Sequence, residues 1–414
     1  MKPVDAYLAE ILGTVRPLDA LELALLEARG CPLAEHVAAP EALPAFDNSA
    51  MDGYAVRAAD IVDADDRPVT LPVVGDIPAG EVGVFAIPKA MSARIMTGAP
   101  LPAGADTVVP VEWTDGGVAR VEVRRSASRG QFVRRRGEDV DAGDVVLRPG
   151  VRLGAAQIGL LAAIGRRTVT VRPRPRVAVI STGNELVEPG TQIAPGQIAD
   201  SNSYTLTAAA AEAGCAAYRH GIVPDDPQAV MSAIEDQLLR SDMIITSGGV
   251  SMGAYDAVKE VLSQLGTVRF ERVAMQPGMP QGFGVIGDDE TPIFTLPGNP
   301  VSAFVSFQVF AVPALRKMQG LDPMPRAPVR AALTAPLRSP EGKRSYGRAR
   351  VEPREGGELA VTPVQGQGSH QLAHLAWANA FVIVPEQVTE LGAGETVEVM
   401  VLEEPQGVVS TGGR

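Results

Sequence analysis

Cysteine is nearly absent: Cys31 and Cys215 are the two in 414 residues. That excludes a disulfide framework and a thiolate metal cluster, and it suits a reducing compartment. Positive charge is also short, with 37 Lys and Arg against 49 Asp and Glu and a formal net charge of -12. Such a field repels polyanions, which argues against a general binder of nucleic acid or anionic membrane. No long apolar run exists. The longest, over 301–312, is too short to cross a bilayer and contains serine and glutamine. The opening MKPVDAYLAEILGTVRP carries acids inside an amphipathic pattern and lacks the apolar core of a signal peptide. No phosphate-binding P-loop and no dinucleotide glycine fingerprint follows any strand, so kinase and dehydrogenase readings lose their main support. His370 and His374 in HQLAH have helical metal spacing but lack the metalloprotease glutamate between them. There is no repeat and no low-complexity tract. A soluble cytoplasmic protein, with neither nucleic acid nor membrane as a partner, is the expectation.

What is present is a change of texture along the chain. The pattern predicts helices up to about 43, separated by Pro17 and Pro32, then a β-rich insertion over 44–150 with runs such as TVVPVEW and ARVEVRR. GAAQIGLLAAIG reads as a helix and VRPRPR as a linker. Strands and helices then alternate: RVAVIST, SYTLTAAAAEAG, YRHGIV, DPQAVMSAIEDQLLRS, MIITS, DAVKEVLSQLG, TPIFTLPG and the long NPVSAFVSFQVFAVPALRKMQG. Alternation of this kind implies a mainly parallel sheet clothed by helices, with ligands beyond the carboxyl ends of its strands. The last part returns to short strands and reads as a small β-barrel or sandwich. The expected fold is therefore multidomain, α/β and β. Its divisions are 1–43 with 151–172 (an N-terminal helical linker or dimer domain), 44–150 (β-rich insertion), 173–323 (α/β), 324–404 (C-terminal barrel) and 405–414 (a flexible tail).

Four strand ends in the α/β part share one chemistry. TSGGVSMGAYD puts Ser247, Gly248, Gly249, Ser251 and Asp256 between a strand and a helix. STGNEL brings Ser181, Thr182, Gly183 and Glu185; ADSNSYTL brings Asp200, Ser201 and Asn202; TLPGNPVS brings Pro297, Gly298, Asn299 and Pro300. Each alone is explained by helix capping and turn chemistry. Together they place hydroxyls, glycines and acids on one sheet edge, which suits a phosphorylated ligand with a divalent ion held by the acids.

FDNSAMDGYAVR, RIMTGAPLPAGAD, VRRRGEDVDAGD, STGNEL, DSNSYTL, SGGVSMGAYD and LPGNPVSAF, in this order, resemble the molybdopterin molybdenumtransferases, a family that includes the C-terminal enzyme part of gephyrin. The likeness runs from about residue 5 to 403. It implies a homodimer of elongated subunits acting after the molybdopterin-adenylylating enzyme of the same pathway. The implied reaction takes adenylylated molybdopterin and molybdate to molybdenum cofactor, releasing AMP, with a divalent cation such as Mg²⁺. It further implies catalytic roles for Asp52, Thr97 and Asp139 from the β-rich domain, which in this family reaches across the dimer, and for Glu185, Asp225 and Asp256 from the sheet. Glu185, Asp225 and Asp256 would hold the metal. Ser181, Thr182, Gly183, Asp200, Ser201, Ser247, Gly248, Gly249, Ser251 and the Pro297–Pro300 turn would bind the pterin nucleotide. The family commonly has a KPGKP-like turn where this chain has MQPGMP, so Gln276 and Met279 stand in the lysine positions. Arg272 and Arg348, with Arg344 or Lys259, are the expected replacement cations for the oxyanion. A non-catalytic, pterin-binding or scaffolding relative that lost molybdate chemistry is the alternative.

Overall fold

The computed structural model describes residues 1–80, 86–248, 257–264, 267–324, 328–354 and 356–402. The expected flexible tail at 405–414 lies outside them. The chain divides into two compact units, one of residues 1–22, 30–34 and 170–414, the other of 23–29 and 35–169.

The first unit begins with α1 (Val4–Thr14), whose Val4, Tyr7 and Ile11 fall at spacings of three and four and form its buried stripe. Tyr7 meets Phe310 edge-on, ring centroids 4.9 Å apart. The second helix expected before Pro32 does not form. Leu21–Ala24 is a strand, and Leu25 N–H donates to the Arg167 carbonyl. LELALLEAR has good helix formers, but intrinsic propensity is worth only tenths of a kcal/mol per residue and pairing overrides it.

The other unit carries a five-stranded sheet of β1 (Gly53–Val56), β2 (Val69–Ile77), β3 (Ser92–Ile95), β4 (Thr107–Pro110) and β5 (Arg120–Val123), ordered β4-β1-β3-β2-β5. Gly53 is required where β1 crosses β4, because a Cβ there would lie 2.0 Å from the Val109 carbonyl oxygen. The helix expected from GAAQIGLLAAIG is α2 (Ala155–Ala163).

The α/β part of the first unit is built on β6 (Arg176–Thr182), α3 (Asn202–Glu212), β7 (Ala216–Val223), α4 (Pro227–Leu238), β8 (Met243–Ser247), α5 (Ala257–Gln264), β9 (Arg269–Arg272), β10 (Pro280–Ile286), β11 (Thr291–Leu296) and α6 (Pro300–Ser306). The sheet order is β7-β6-β8-β11-β10-β9, with β7, β6, β8 and β11 parallel and β10 and β9 antiparallel. Successive residues of each strand serve opposite cores. Val179, Ile245 and Phe294 pack with α1 and with Phe307 and Phe310; Ile180, Ile244 and Ile293 pack with Ile234 of α4 and Val258 and Val261 of α5. Burial on both faces explains why these strands read as continuous apolar runs. Chain order runs from β6 outward to β7, then back past β6 to β8. The sheet therefore reverses direction between β6 and β8, which is where open α/β sheets leave a crevice at their carboxyl ends.

Beyond α6 the helical run opens into a π turn over Phe307–Ala311 before continuing as Val312–Met318. Pro313 lacks an N–H and its ring crowds the preceding turn, so the wider π turn relieves the ladder there. Then follow β12 (Val329–Leu333), β13 (Arg344–Pro353), β14 (Leu359–Pro363), β15 (Ala380–Val384) and β16 (Thr396–Val401). They pair β13-β14-β12-β16-β15, and β15 returns to β13, closing a five-stranded barrel. The short strand Met275–Gln276 of the α/β part pairs with the start of β13, Gln276 opposite Ser345.

Candidate functional site at the carboxyl edge of the parallel sheet

The crevice between β6 and β8 gathers the side chains that the sequence motifs singled out. Thr182 ends β6 and Ser247 ends β8. The chain then turns at Gly248 with φ +94°, where a Cβ would stand 2.8 Å from the Thr182 carbonyl oxygen. Only glycine fits both demands. The neighbouring β11 runs out into the 297–300 turn, and Gly298 lies against Gly248. Asn202, at the start of α3, locks these ends together: its amide donates 2.7 Å to Ser247 Oγ and 2.7 Å to the Gly298 carbonyl. Asn299 precedes α6 and Pro300 opens it, as proline suits a first helical position. The opposite end of that turn is held by the barrel, since Val301 N–H donates to the Ser369 carbonyl at 3.1 Å.

Thr182, Thr246 and Thr295 form a row across β6, β8 and β11 on the Ile180 face, with Thr246 and Thr295 in direct register. All three are buried, and none of their hydroxyls has a hydrogen-bond partner among the described residues. Buried hydroxyls normally find partners, because leaving one unpaired costs about 1–3 kcal/mol. A row of three marks an edge whose hydroxyls no described residue satisfies. The sequence reading found Thr182 and missed the other two; their alignment depends on strand register, which no local motif records.

The acids divide into two kinds. Asp200 is 1% exposed and spoken for: it accepts from the Ser181 hydroxyl at 3.0 Å, from Ser203 N–H and Oγ, and faces Arg219 at 3.5 Å. Arg219, stacked 3.8 Å over the Tyr204 ring, also pairs with Glu188 at 3.0 Å. Asp200 and Ser181 are thus a buried brace under the crevice. Ser201, half-buried, precedes α3 without making a side-chain cap. Glu185 and Asp225, in contrast, are exposed. Asp225 and Asn184 exchange hydrogen bonds at 3.2 and 3.3 Å, bringing the two acid-bearing loops together, and the Glu185 carboxylate folds over Gly183, within 2.9 Å of where a Cβ would be. Among the described residues no three acids, histidines or cysteines form a metal-sized cluster. Gly249, Ser251 and Asp256 lie outside the described residues.

In the other unit, Asp52 Oδ1 accepts from Thr97 N–H at 2.7 Å and from its hydroxyl at 2.9 Å, which holds the carboxyl below its ordinary range. Asp47 does the same between motifs, taking Arg136 N–H at 2.8 Å and pairing with Arg135 at 2.6 Å; it too is lowered, chiefly by the Arg136 N–H. Asp139 borders a separate open cleft of ≈ 330 Å³ with Pro44, Arg134 and Glu138.

Arg348, expected to reach an oxyanion, is 1% exposed and donates to the carbonyls of Gly366 (2.7 Å), Gly368 (3.0 Å) and Gln371 (3.3 Å). Its guanidinium ties the 366–371 loop to the barrel. Arg344 grips Asp5 at 2.6 and 2.8 Å and Glu386 at 3.0 Å. Arg272 is exposed, with Nη2 3.5 Å from Met279 Sδ.

Known proteins match nearly the whole chain. Residues 2–165 match the MoeA N-terminal region (domain I and II), 178–317 a probable molybdopterin binding domain, and 330–402 the MoeA C-terminal region (domain IV). A protein of Mycobacterium tuberculosis named molybdopterin molybdenumtransferase 2 is 47% identical over 94% of this chain and 96% of its own length. The chain belongs to the molybdopterin molybdenumtransferase family. Molybdopterin molybdenumtransferase 1 of the same organism is 42% identical over 97% of this chain and 99% of its own. The crystal structure of a molybdopterin biosynthesis MoeA protein from a Pyrococcus species superposes with a TM-score of 0.79 at 33% identity, covering 97% of this chain and 99% of that one. Like its relatives, this member is a transferase of molybdenum cofactor biosynthesis. Among the described residues no helix is long and apolar enough to cross a membrane.

Proposed function

We propose that the chain inserts molybdenum from molybdate into adenylylated molybdopterin with release of AMP, and that the pterin nucleotide lies in the crevice between β6 and β8. The observation that carries this reading is the row of unpartnered threonine hydroxyls beside the Gly248 turn. Ser247 and Gly298 stay fixed by Asn202, so hydroxyls and backbone approach the ligand without reorganising, the condition under which polar groups stabilise developing charge best. Glu185 and Asp225 offer hard carboxylate oxygens from two adjoining loops, the donor type that Mg²⁺ takes; with Asp256 they would hold that ion. Bound there, Mg²⁺ supplies charge neutralisation for the phosphoanhydride. Asp52, Thr97 and Asp139 complete the proposed catalytic set, and Asp52 is already held ionised by Thr97.

The protein is further proposed to work as a cytoplasmic homodimer, downstream of the adenylylating enzyme. Two buried free cysteines accord with a reducing compartment. Sedimentation measures the dimer; recovered activity on mixing Asp52→Asn with Asp225→Asn chains would show that the site is shared between subunits.

The test of the reaction is AMP release by purified protein supplied with adenylylated molybdopterin, molybdate and Mg²⁺. Release that depends on molybdate supports the enzyme. Tight pterin binding with no release at any molybdate concentration would instead favour a scaffolding relative.

A further inference from the structure

The stretch 183–200 leaves β6 at its carboxyl end and returns to α3, carrying Glu185 and Glu188 on the way. None of residues 184–199 is buried, so no hydrophobic core fixes their course. The stretch pairs with itself instead. Leu186 and Val187 lie parallel to Ile198 and Ala199, with Ile198 N–H on the Glu185 carbonyl at 2.8 Å and Asp200 N–H on the Val187 carbonyl at 2.9 Å. A two-stranded patch with no covered face is marginal by itself. Among the described residues, two side chains of 184–199 hydrogen-bond it to the rest of the fold: Asn184, through Asp225, and Glu188.

Glu188 meets a single guanidinium. Arg219 Nη2 donates to both of its carboxylate oxygens, at 3.0 and 3.1 Å, and the Tyr204 hydroxyl adds a hydrogen bond at 3.2 Å. Arg219 stands on β7 beside Val179 of β6, and its Nε donates 2.7 Å to Ser203 Oγ. The Ser203 hydroxyl gives its one proton to Asp200, so it accepts from the arginine and the three groups form a directed chain. Nη2 also faces Asp200 at 3.5 Å. Two carboxylates from separate segments thus share one cation, which the Tyr204 ring keeps from swinging away. None of Glu188, Ser203, Tyr204 and Arg219 belongs to the proposed catalytic set.

We propose that Arg219 is a positioning residue, which sets the place of Glu185 through Glu188 and the first turn of α3 through Ser203 and Asp200. That turn begins with Asn202, the residue that locks Ser247 to Gly298. One guanidinium therefore ties the carboxylate-bearing loop to the lock of the crevice. A hard divalent cation needs its oxygens well placed, Mg²⁺ most of all. With Glu188 released, Glu185 would be carried by a stretch that nothing apolar holds, and each binding event would first have to order it. That cost lowers affinity for the cation without changing the geometry finally reached. The inference rests on the reading of Glu185 as a ligand of the divalent ion.

Binding of Mn²⁺ alone to the full chain, followed by electron paramagnetic resonance, reads the effect without turnover. Glu188→Ala should weaken it about three- to fivefold, a modest loss because the Glu188 side chain is 49% exposed and its ion pair is screened. Arg219→Ala should weaken it at least as much, and the double variant should match Arg219→Ala within about twofold, since the two act through one contact. Arg219→Ala also takes a counter-charge from buried Asp200 and is the variant at risk of unfolding; Glu188→Ala leaves the partners of Asp200 in place. In AMP release, Glu188→Ala should raise the half-saturating Mg²⁺ by the same factor while kcat at saturating Mg²⁺ stays within about twofold. Mn²⁺ binding that Glu185→Gln abolishes but a folded Glu188→Ala chain retains in full overturns the positioning role and leaves the reading of Glu185 intact. Losses that multiply in the double variant overturn the route through Glu188. Mn²⁺ affinity untouched by Glu185→Gln removes Glu185 from the ligands, and the positioning role falls with it.

Discussion

The carboxyl edge of the parallel sheet and strand β13 of the barrel both carry buried polar side chains, yet they differ in how those side chains are partnered. On β13, Arg344 and the Nη groups of Arg348 donate to Asp5, Glu386 and three loop carbonyls. At the ends of β6, β8 and β11, three buried hydroxyls have no partner among the described residues. The difference teaches that residue type is a poor guide to a site, because a buried arginine whose two Nη groups are held by loop carbonyls acts as a girder, even with its Nε left without a partner among the described residues. What distinguishes a binding edge is polarity that folding has left open.

The largest break in that comparison is Arg348→Ala. It strands the Gly366, Gly368 and Gln371 carbonyls and leaves a hole beside the loop, so about 3–5 kcal/mol of stability should be lost. Arg348→Lys should recover little of it, because one ammonium cannot span three carbonyls. Urea titration measures both. A normally stable Arg348→Ala protein with impaired molybdate response would instead return Arg348 to the role first expected of it.

Gly248→Ala comes next. The φ of +94° and the 2.8 Å approach to the Thr182 carbonyl both oppose a methyl group. Strain of that kind is worth about 1–3 kcal/mol, so kcat/KM should fall by roughly 10- to 100-fold. Confined to the crevice, the change should leave most of the global denaturation profile in place. A wild-type kcat/KM would show that the turn does not shape the site.

The smallest effect concerns the barrel's exposed ion pair. Asp5 is held below its ordinary value first by its hydrogen bonds to Arg344, against a smaller opposing effect of burial. A lowered folded-state value means a contribution to stability that is present above the unfolded value, about 3.9, and is lost as pH falls through the folded one. Asp5 is largely exposed, so screening keeps the contribution below about 1 kcal/mol. Asp5→Asn should therefore lower the thermal midpoint slightly at pH 7 and not at all near pH 2. Equal effects at both pH values would remove the ion pair from the account.

Much of this was legible in the sequence. The alternation of RVAVIST, MIITS and TPIFTL with amphipathic helices gave the parallel sheet, because strands buried on both faces must be apolar throughout. Glycines and hydroxyls at the strand ends gave the edge. Three things were not legible. LELALLEAR looks helical until its pairing partner far along the chain is known. The carbonyls around the Arg348 guanidinium come from a loop some twenty residues further on, which no local motif shows. Thr246 and Thr295 sit in no distinctive motif, and they acquire meaning only through strand register.

Thr182→Val is the substitution that separates a prepared binding edge from ordinary packing. It removes a buried hydroxyl that has no partner among the described residues and replaces it with a methyl group of nearly the same shape. Removing an unsatisfied polar group should leave the protein as stable as before or more so. The measurement is the affinity of adenylylated molybdopterin for this variant, taken beside its thermal midpoint. The account predicts an unchanged or raised midpoint with binding weakened about tenfold, equivalent to about 1.4 kcal/mol. Unchanged binding would contradict it.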